Sequence, residues 1–428
     1  MRVVGEVPLV DADSGVVMVT SAGLGAEDPR IVVPEAADVE RRLEEILDRG
    51  SVNLGEQAGI ERLMLMVTRS CELRCGYCFV NKTEAGLEMP VSRALRGVDL
   101  IMKSDRPKLE VQFFGGEPSR CWDVLSEVLE YTMTHPLRHG RRVEFVLTTN
   151  GTGLDAERVA HLERYPVMVL FSLDGDAASH RRFRQSHLVS DEEAYAAILE
   201  TVRLLSESSL NWFMNATIPP AGAAETYDRY LWALEHGIPR LQLNYAVGMY
   251  WRPHQERAYL TQLQRVLLDH AEDPERLMLF NWRSDCEPTI LSDDLIVDTD
   301  GVVLHDAAIF LERSLPKLKD TYRRGELDGL EEFDALRWNL ATLAKVLRTT
   351  YDPGTRQHRI VEQNLRMGAA VDLVIQQMIE GLGGAPGQET ARGALERGEG
   401  HAVMGQPVEV IGGRAGPDGF GPPDHDRR

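Results

Sequence analysis

"RSCELRCGYCFVNK", Arg69 to Lys82, is the stretch that decides how this chain is read. Three of its five cysteines, Cys71, Cys75 and Cys78, fall in this loop, directly after the apolar run "LMLMVT". Thiols spaced C-x3-C-x2-C are one ligand short of a closed tetrahedral site. A zinc site would need a fourth ligand from a second group, yet Cys121 and Cys286 are lone residues. Structural cysteines buried in a core have no reason to crowd into a loop of Glu, Arg and Gly. An iron–sulfur cluster is held by cysteine thiolates. Three of them leave one iron open to an outside ligand, and an open position is what separates a reactive metal site from a structural one.

Outward from the loop the pattern is a strand-helix rhythm. "LMLMVT", "KLEVQFF", "RRVEFVLTTN", "PVMVLFSLDG", "NWFMNATI" and "RLQLNYAV" predict six strands, and a helical pattern follows each of the first five. Runs this apolar predict strands buried on both faces. The fold class expected is therefore α/β, a partial (βα)6 parallel barrel over residues 61–250, with its chemistry at the C-terminal ends of the strands. Residues 1–60 form a small preface, with strands expected at "GVVMVTSA" and "PRIVVP" and a helix over "AADVERRLEEILDRG". Residues 251–380 predict a mixed, mostly helical C-terminal region. It holds a helix over about Gln255–His270, a hairpin "TILSDDLIVDTDGVVLHD" turning at "DTDG", and helical patterns "GLEEFDALRWNLATLAKVLRTT" and "HRIVEQNLRMGAAVDLVIQQMIEGL". Residues 381–428 are rich in Gly and Pro, and a disordered tail is expected there.

Composition narrows the class of protein. The chain has 428 residues and a net charge of −20, with 67 acidic against 47 basic side chains, which disfavours a nucleic-acid partner. No apolar run reaches the eighteen or so residues that span a bilayer, so no membrane association is expected. The N-terminus lacks a signal-peptide h-region, and an odd, uneven cysteine set fits reduced thiols in the cytoplasm.

The cysteine triplet, with Tyr77 just before its last member, resembles the radical S-adenosylmethionine (radical SAM) enzymes. In that family the open iron is chelated by the amine and carboxylate of SAM, and an electron from the cluster releases a 5′-deoxyadenosyl radical that abstracts a substrate hydrogen. Further motifs support the resemblance, each at the end of the strand where the family has it. "GGEP", Gly115, Gly116, Glu117 and Pro118, resembles the stretch used for the SAM amino group, Glu117 being an acceptor for an ammonium. "TTNGT", with Asn150, and "SLDG", with Ser172 and Asp174, resemble segments that line the SAM ribose and carboxylate in the peptide-modifying branch. "SHRRFR" looks like that branch's "HDxFR" segment and makes Arg184 a partner for the SAM carboxylate, although Arg181 replaces the expected Asp. The resemblance implies one [4Fe–4S] cluster, SAM, and an electron donor such as flavodoxin or ferredoxin.

The chain departs from that branch in its C-terminal region. Relatives with these motifs often carry a cysteine-rich extension, called SPASM or twitch, that binds auxiliary clusters beside a hairpin ending "DG-x-V-x-x-C". Here the hairpin reads "DTDGVVLHD", Asp306 stands where the cysteine is expected, and no cysteine follows Cys286. The hairpin is either that scaffold with its ligands lost or an unrelated turn. Cys121 and Cys286 are potential hydrogen donors or plain buried cysteines. His305 and Asp306 are either a base or ligand pair or a solvent-exposed turn. The expected substrate is a peptide or protein side chain. The alternatives are a small molecule of natural-product biosynthesis and, in a different class, a non-catalytic metal-binding interaction protein.

Overall fold

The six runs are rich in β-branched, aromatic and other large apolar residues, which favours strands, and a helix follows each of them. Our computed structural model describes residues 9–10, 17–18, 28–52, 60–82, 87–282, 290–292, 294–333 and 338–382. Strands β1 (Leu9–Val10) and β2 (Val17–Met18) make a small antiparallel pair of their own. Strands β3 (Arg62–Thr68), β4 (Lys108–Gly115), β5 (Arg142–Thr149), β6 (Val167–Ser172), β7 (Asn211–Ile218) and β8 (Arg240–Tyr245) lie parallel in that order. The short β9 (Met278–Leu279) joins beyond β8. At the opposite edge β10 (Leu295–Val297) pairs parallel with β3, and β11 (Val302–His305) and β12 (Arg323–Glu326) continue antiparallel. The sequence hairpin is thus β10–β11, turning where Gly301 (φ 93°) donates back to the Asp298 carbonyl at 2.9 Å.

This sheet is an incomplete parallel barrel with helices between its strands, and it curls around one cavity. Every second residue points inward: Met64 on β3, Gln112 and Phe114 on β4, Leu170 and Ser172 on β6, Asn215 and Thr217 on β7, Gln242 and Asn244 on β8. Register sets these side by side, with Ser172 opposite Asn215 and Asn215 opposite Gln242. The expectation of strands apolar on both faces fails for β7 and β8. Their inner face is polar because it borders a cavity instead of packed side chains.

The helix Arg356–Gly381 covers the β8 side of the cavity. Its Asn364 accepts from the Gly248 N–H at 3.0 Å and donates to the Met249 carbonyl at 3.0 Å, so one buried carboxamide fixes the loop after β8. The N-terminal helix Ala36–Val52 packs on the same element, where Arg42 Nε meets Asp372 Oδ2 at 2.6 Å. Two sequence expectations are corrected here. "PRIVVP" is not a strand: its Val32 N–H donates to the Gln264 side chain at 2.8 Å instead of to a neighbouring strand. The long helix expected from Gly329 begins only at Leu340, capped by Asn339, whose Oδ1 accepts the Thr342 N–H at 2.7 Å. The tail from residue 383 and Cys286 lie outside the described residues. No helix among the described residues is long and apolar enough to cross a membrane.

Candidate active site

The cysteine loop leaves β3 and is held from both sides by bonds that do not involve its thiols. On one side the Arg74 N–H donates to Gln185 O at 2.7 Å and the Gly76 N–H to Phe183 O at 2.9 Å. On the other, Arg313 Nη1 donates to the carbonyls of Gly76 and Cys78, at 3.3 and 3.2 Å. Arg69, at the root of the loop, forks onto Asp298 and reaches Glu312 Oε2 at 2.7 Å. The thiols of Cys71, Cys75 and Cys78 border a cavity of about 260 Å³ inside the barrel mouth.

The next strand end is pressed against this loop. The Gly116 N–H donates to Thr68 O and the Glu117 N–H to Ser70 O, both at 2.8 Å. A Cβ on Gly115 would lie 2.2 Å from Thr68 O, and one on Gly116 would lie 2.2 Å from Ser70 O. Gly115 also sits at φ 146°, where L side chains are strained. The glycine pair therefore lets β4 reach the backbone that feeds the cysteines.

Glu117 is buried and binds together the ends of two strands. Its Oε1 accepts from the Ser119 N–H at 3.0 Å and Thr149 Oγ1 at 2.7 Å, and its Oε2 from the Asn150 N–H at 2.7 Å. Burial raises its pKa, with the nearby Glu72 adding to the rise and the three donors opposing it. Asn150 Nδ2 in turn lies 3.2 Å from Glu72 Oε1 and 3.7 Å from Cys71 Sγ.

Tyr77, Asp174 and Arg184, far apart in sequence, form one hydrogen-bonded chain, with Asp174 and Arg184 buried and Tyr77 half-buried. Tyr77 Oη donates to Asp174 Oδ2 at 2.6 Å and accepts from Arg184 Nη1 at 2.8 Å, and Asp174 Oδ1 takes the Thr217 N–H at 3.1 Å. Of the residues expected at the site, Cys71, Cys75, Tyr77, Cys78, Gly115, Gly116, Glu117, Asn150, Ser172 and Arg184 border the cavity. Asp174 stands behind Tyr77, and Pro118 begins the turn Pro118–Cys121 that orients Glu117. Cys121 is buried away from the cavity wall. The expectation of an exposed turn at His305 and Asp306 is overturned, because docking of β10 on β3 buries both. Strand alternation sends His305 to Tyr322 and Trp338, while Asp306 borders the cavity.

Sequence reading missed Lys82, which curls back with Nζ donating to Leu73 O at 2.6 Å and faces the three thiols. It also missed Phe79, Phe114 and Phe310, which meet at centroid distances of 5.1 to 6.1 Å on the cavity wall. Nothing local in the sequence brings Phe310 to Phe79, since the β10–β11 hairpin does so.

The thiols suit a cluster better than a single ion. No three His, Cys, Asp or Glu side chains among the described residues converge on a point that one metal ion would occupy. A [4Fe–4S] cube instead takes each thiolate on a different iron. Burial pushes the Cys71 thiol up to about 12 and raises that of Cys75, with the Lys82 charge opposing both shifts. Deprotonating Cys71 and Cys75 against that burial is favoured by a strongly cationic centre beside them, which clustered iron supplies.

Comparison with known proteins follows the same outline. Residues 65–229 match the model of the Radical SAM superfamily. Over 146 residues the chain is 27% identical to the radical SAM cyclopropyl synthase TigE of Paramaledivibacter caminithermalis, covering 30% of either chain. Over 155 residues it is 34% identical to the GTP 3′,8-cyclase of Corynebacterium glutamicum, 33% of this chain and 40% of that one. The matches thus span well under half the length of these relatives. Among solved structures, hexahistidine-tagged anSMEcpe with bound AdoMet aligns over 80% of this chain and 99% of its own, with a TM-score of 0.62 at 16% identity. Native anSMEcpe with bound AdoMet and Cp18Cys peptide aligns over 75% and 98%, with a TM-score of 0.60 at 15% identity.

Proposed function

We propose that this chain, whose residues 65–229 match the model of the Radical SAM superfamily, is a radical SAM enzyme that removes hydrogen from a peptide or protein side chain. One observation carries the reading: the three thiols, the Gly115–Glu117 backbone, Asn150, Ser172 and Arg184 border a single cavity. Cys71, Cys75 and Cys78 would hold one [4Fe–4S] cluster, and the exposed edge of the glycine turn and Arg184 would receive the ammonium and carboxylate of SAM. When bound, the cluster and SAM together supply a 5′-deoxyadenosyl radical.

The chain's own residues do the rest. Tyr77 and Asp174 hold the Arg184 guanidinium in one orientation, so a carboxylate meets a prearranged fork. Glu117 keeps the ends of β4 and β5 together, and Asn150 and Ser172 offer neutral hydrogen bonds to a sugar or carboxylate. The Phe79–Phe114–Phe310 group beside the thiols keeps water from the space next to them.

The peptide reading is supported by the anSMEcpe complex, an architecture of this kind that holds AdoMet and a peptide at once. The similarity to GTP 3′,8-cyclase favours a second reading, a small-molecule substrate. Anaerobically reconstituted protein, given SAM and dithionite, should form 5′-deoxyadenosine. Peptides encoded near the gene and free nucleotides then compete as substrates. Product mass on a peptide supports the first reading, product from a nucleotide alone supports the second, and no SAM cleavage refutes both.

A further inference from the structure

The segment that leaves the cysteine loop is pinned at Asn81 and turns back there. The Asn81 carbonyl accepts from Arg69 Nη1 at 3.1 Å, and the Asn81 N–H donates to Glu312 Oε2 at 3.1 Å. From the next position Lys82 sends its side chain back across the loop, Nζ donating to Leu73 O at 2.6 Å. Leu73 lies between the first two cysteines, and its own N–H meets Cys71 Sγ at 3.4 Å. The ammonium therefore stands beside Cys71 on the wall of the cavity that the three thiols share, and its charge faces all three.

A brace on a carbonyl does not need a charge. The other cations around the loop have theirs answered elsewhere. Arg69 is paired with Asp298 and Glu312, Arg184 stands 3.5 Å from Asp174, and Arg313 is exposed to water. Lys82 is half-buried, its hydrogen bond goes to a neutral carbonyl, and no carboxylate among the described residues pairs with it. Drawing an ammonium out of water without a counter-charge is costly, so the placement makes sense when negative charge gathers at the thiols. Coulomb attraction in a partly desolvated site exceeds that in water, and it grows with each negative charge added. An added electron is such a charge, and the potential of an iron–sulfur centre follows its net charge and surroundings.

We propose that Lys82 is a charge-compensating residue: its ammonium, aimed at the three thiols, favours uptake of the single electron that the site needs before SAM is cleaved. This rests on reading Cys71, Cys75 and Cys78 as the seat of a [4Fe–4S] cluster. The electron comes from a low-potential one-electron carrier, or from dithionite in the test. No bond breaks and no proton moves in this step, because Lys82 already carries the compensating charge.

The test is an anaerobic redox titration, read by electron paramagnetic resonance, on the reconstituted full chain without SAM. Wild type is compared with Lys82→Arg, Lys82→Gln and Lys82→Met. Leaving SAM out removes any contribution from a contact between Lys82 and SAM. Both neutral variants should have a more negative midpoint, with the reduced-to-oxidised ratio at a fixed potential down about tenfold, a shift of about 59 mV for one electron. Lys82→Arg, which keeps the charge, should retain the wild-type midpoint. Lys82→Gln can still donate to the Leu73 carbonyl, so a wild-type midpoint in that variant would leave Lys82 a brace and overturn the proposal. Neutral variants that load no cluster would assign the lysine to assembly and overturn it as well. Iron and sulfide on the same samples separate the two levels. Wild type without a cluster defeats the radical SAM reading and the proposal with it, whereas a loaded wild type whose midpoint the neutral variants share defeats the proposal alone.

Discussion

Arg69 and Asp298 meet through two parallel bonds, Nε to Oδ1 at 3.1 Å and Nη2 to Oδ2 at 2.7 Å, with both side chains buried. One lies at the root of the cysteine loop and the other at the tip of the β10–β11 hairpin, so the pair ties the cysteine loop to the C-terminal region. Lys319 Nζ adds a third bond to Asp298 Oδ2 at 2.6 Å. Removing Arg69 leaves Asp298 with Lys319 as its cation, so the cost falls below the ~3–5 kcal/mol of a buried pair broken outright. Arg69→Ala should therefore lower the denaturation midpoint and reduce iron retained after desalting, although all three cysteines remain. Wild-type iron retention in a folded Arg69→Ala would show that the hairpin does not brace the loop.

Gly115 and Gly116 are predicted to tolerate no side chain. A Cβ at either would meet a backbone oxygen at 2.2 Å, and backbone cannot move aside as a side chain can. Gly116→Ala should cost at least about 1–3 kcal/mol, the usual range for overpacking, and should impair cluster loading. Gly76, which has nothing within 4 Å of its added Cβ, is the control. Its alanine variant should fold and load normally. Equal behaviour of the two variants in chemical denaturation would contradict the packing argument.

Glu117 carries two expectations that one variant separates. Its carboxylate satisfies three buried donors, so Glu117→Ala should lose about 1–3 kcal/mol of stability. If it also accepts from the SAM ammonium, SAM affinity should fall on the order of tenfold to a hundredfold with iron content intact. Equilibrium binding on cluster-loaded protein decides: lost stability with unchanged affinity leaves Glu117 a bracing residue only.

The strands and the cysteine loop were legible because their signals are local. "LMLMVT" and "KLEVQFF" are apolar runs with turn residues at their ends, and three cysteines at fixed spacing announce themselves. Tyr77, Asp174 and Arg184 were singled out from separate motifs, and the parallel order of β3, β6 and β7 joins them. What stayed hidden depends on long-range pairing. That Leu295–Val297 would lie beside Leu63–Leu65 has no local signature, and with it went the burial of Asp306 and the approach of Phe310 to Phe79. The alternation of Gln242 and Asn244 with leucines was visible in β8. Which face looked into a cavity was not.

His180 gives the protein a pH dependence. It is buried beside Tyr195, and burial, helped by the Arg184 charge, holds its pKa near about 4 against an ordinary 6.5. A depressed histidine favours the folded state fully above the ordinary value, and that contribution is lost as pH falls from about 6.5 through about 4. Wild type should destabilise over that window, and His180→Phe, which cannot protonate, should show a shallower slope. Parallel slopes in thermal melts across that range would exclude His180 as the source.

The central claim is that Cys71, Cys75 and Cys78 hold a cluster that cleaves SAM. Its most direct test is iron, sulfide and 5′-deoxyadenosine measured on one anaerobically reconstituted sample, beside the triple cysteine-to-alanine variant. The account predicts about four irons per chain, the content of one cube, and 5′-deoxyadenosine formed with dithionite, both lost in the variant. About eight irons, a cluster retained by the triple variant, or a loaded protein that leaves SAM intact would contradict it.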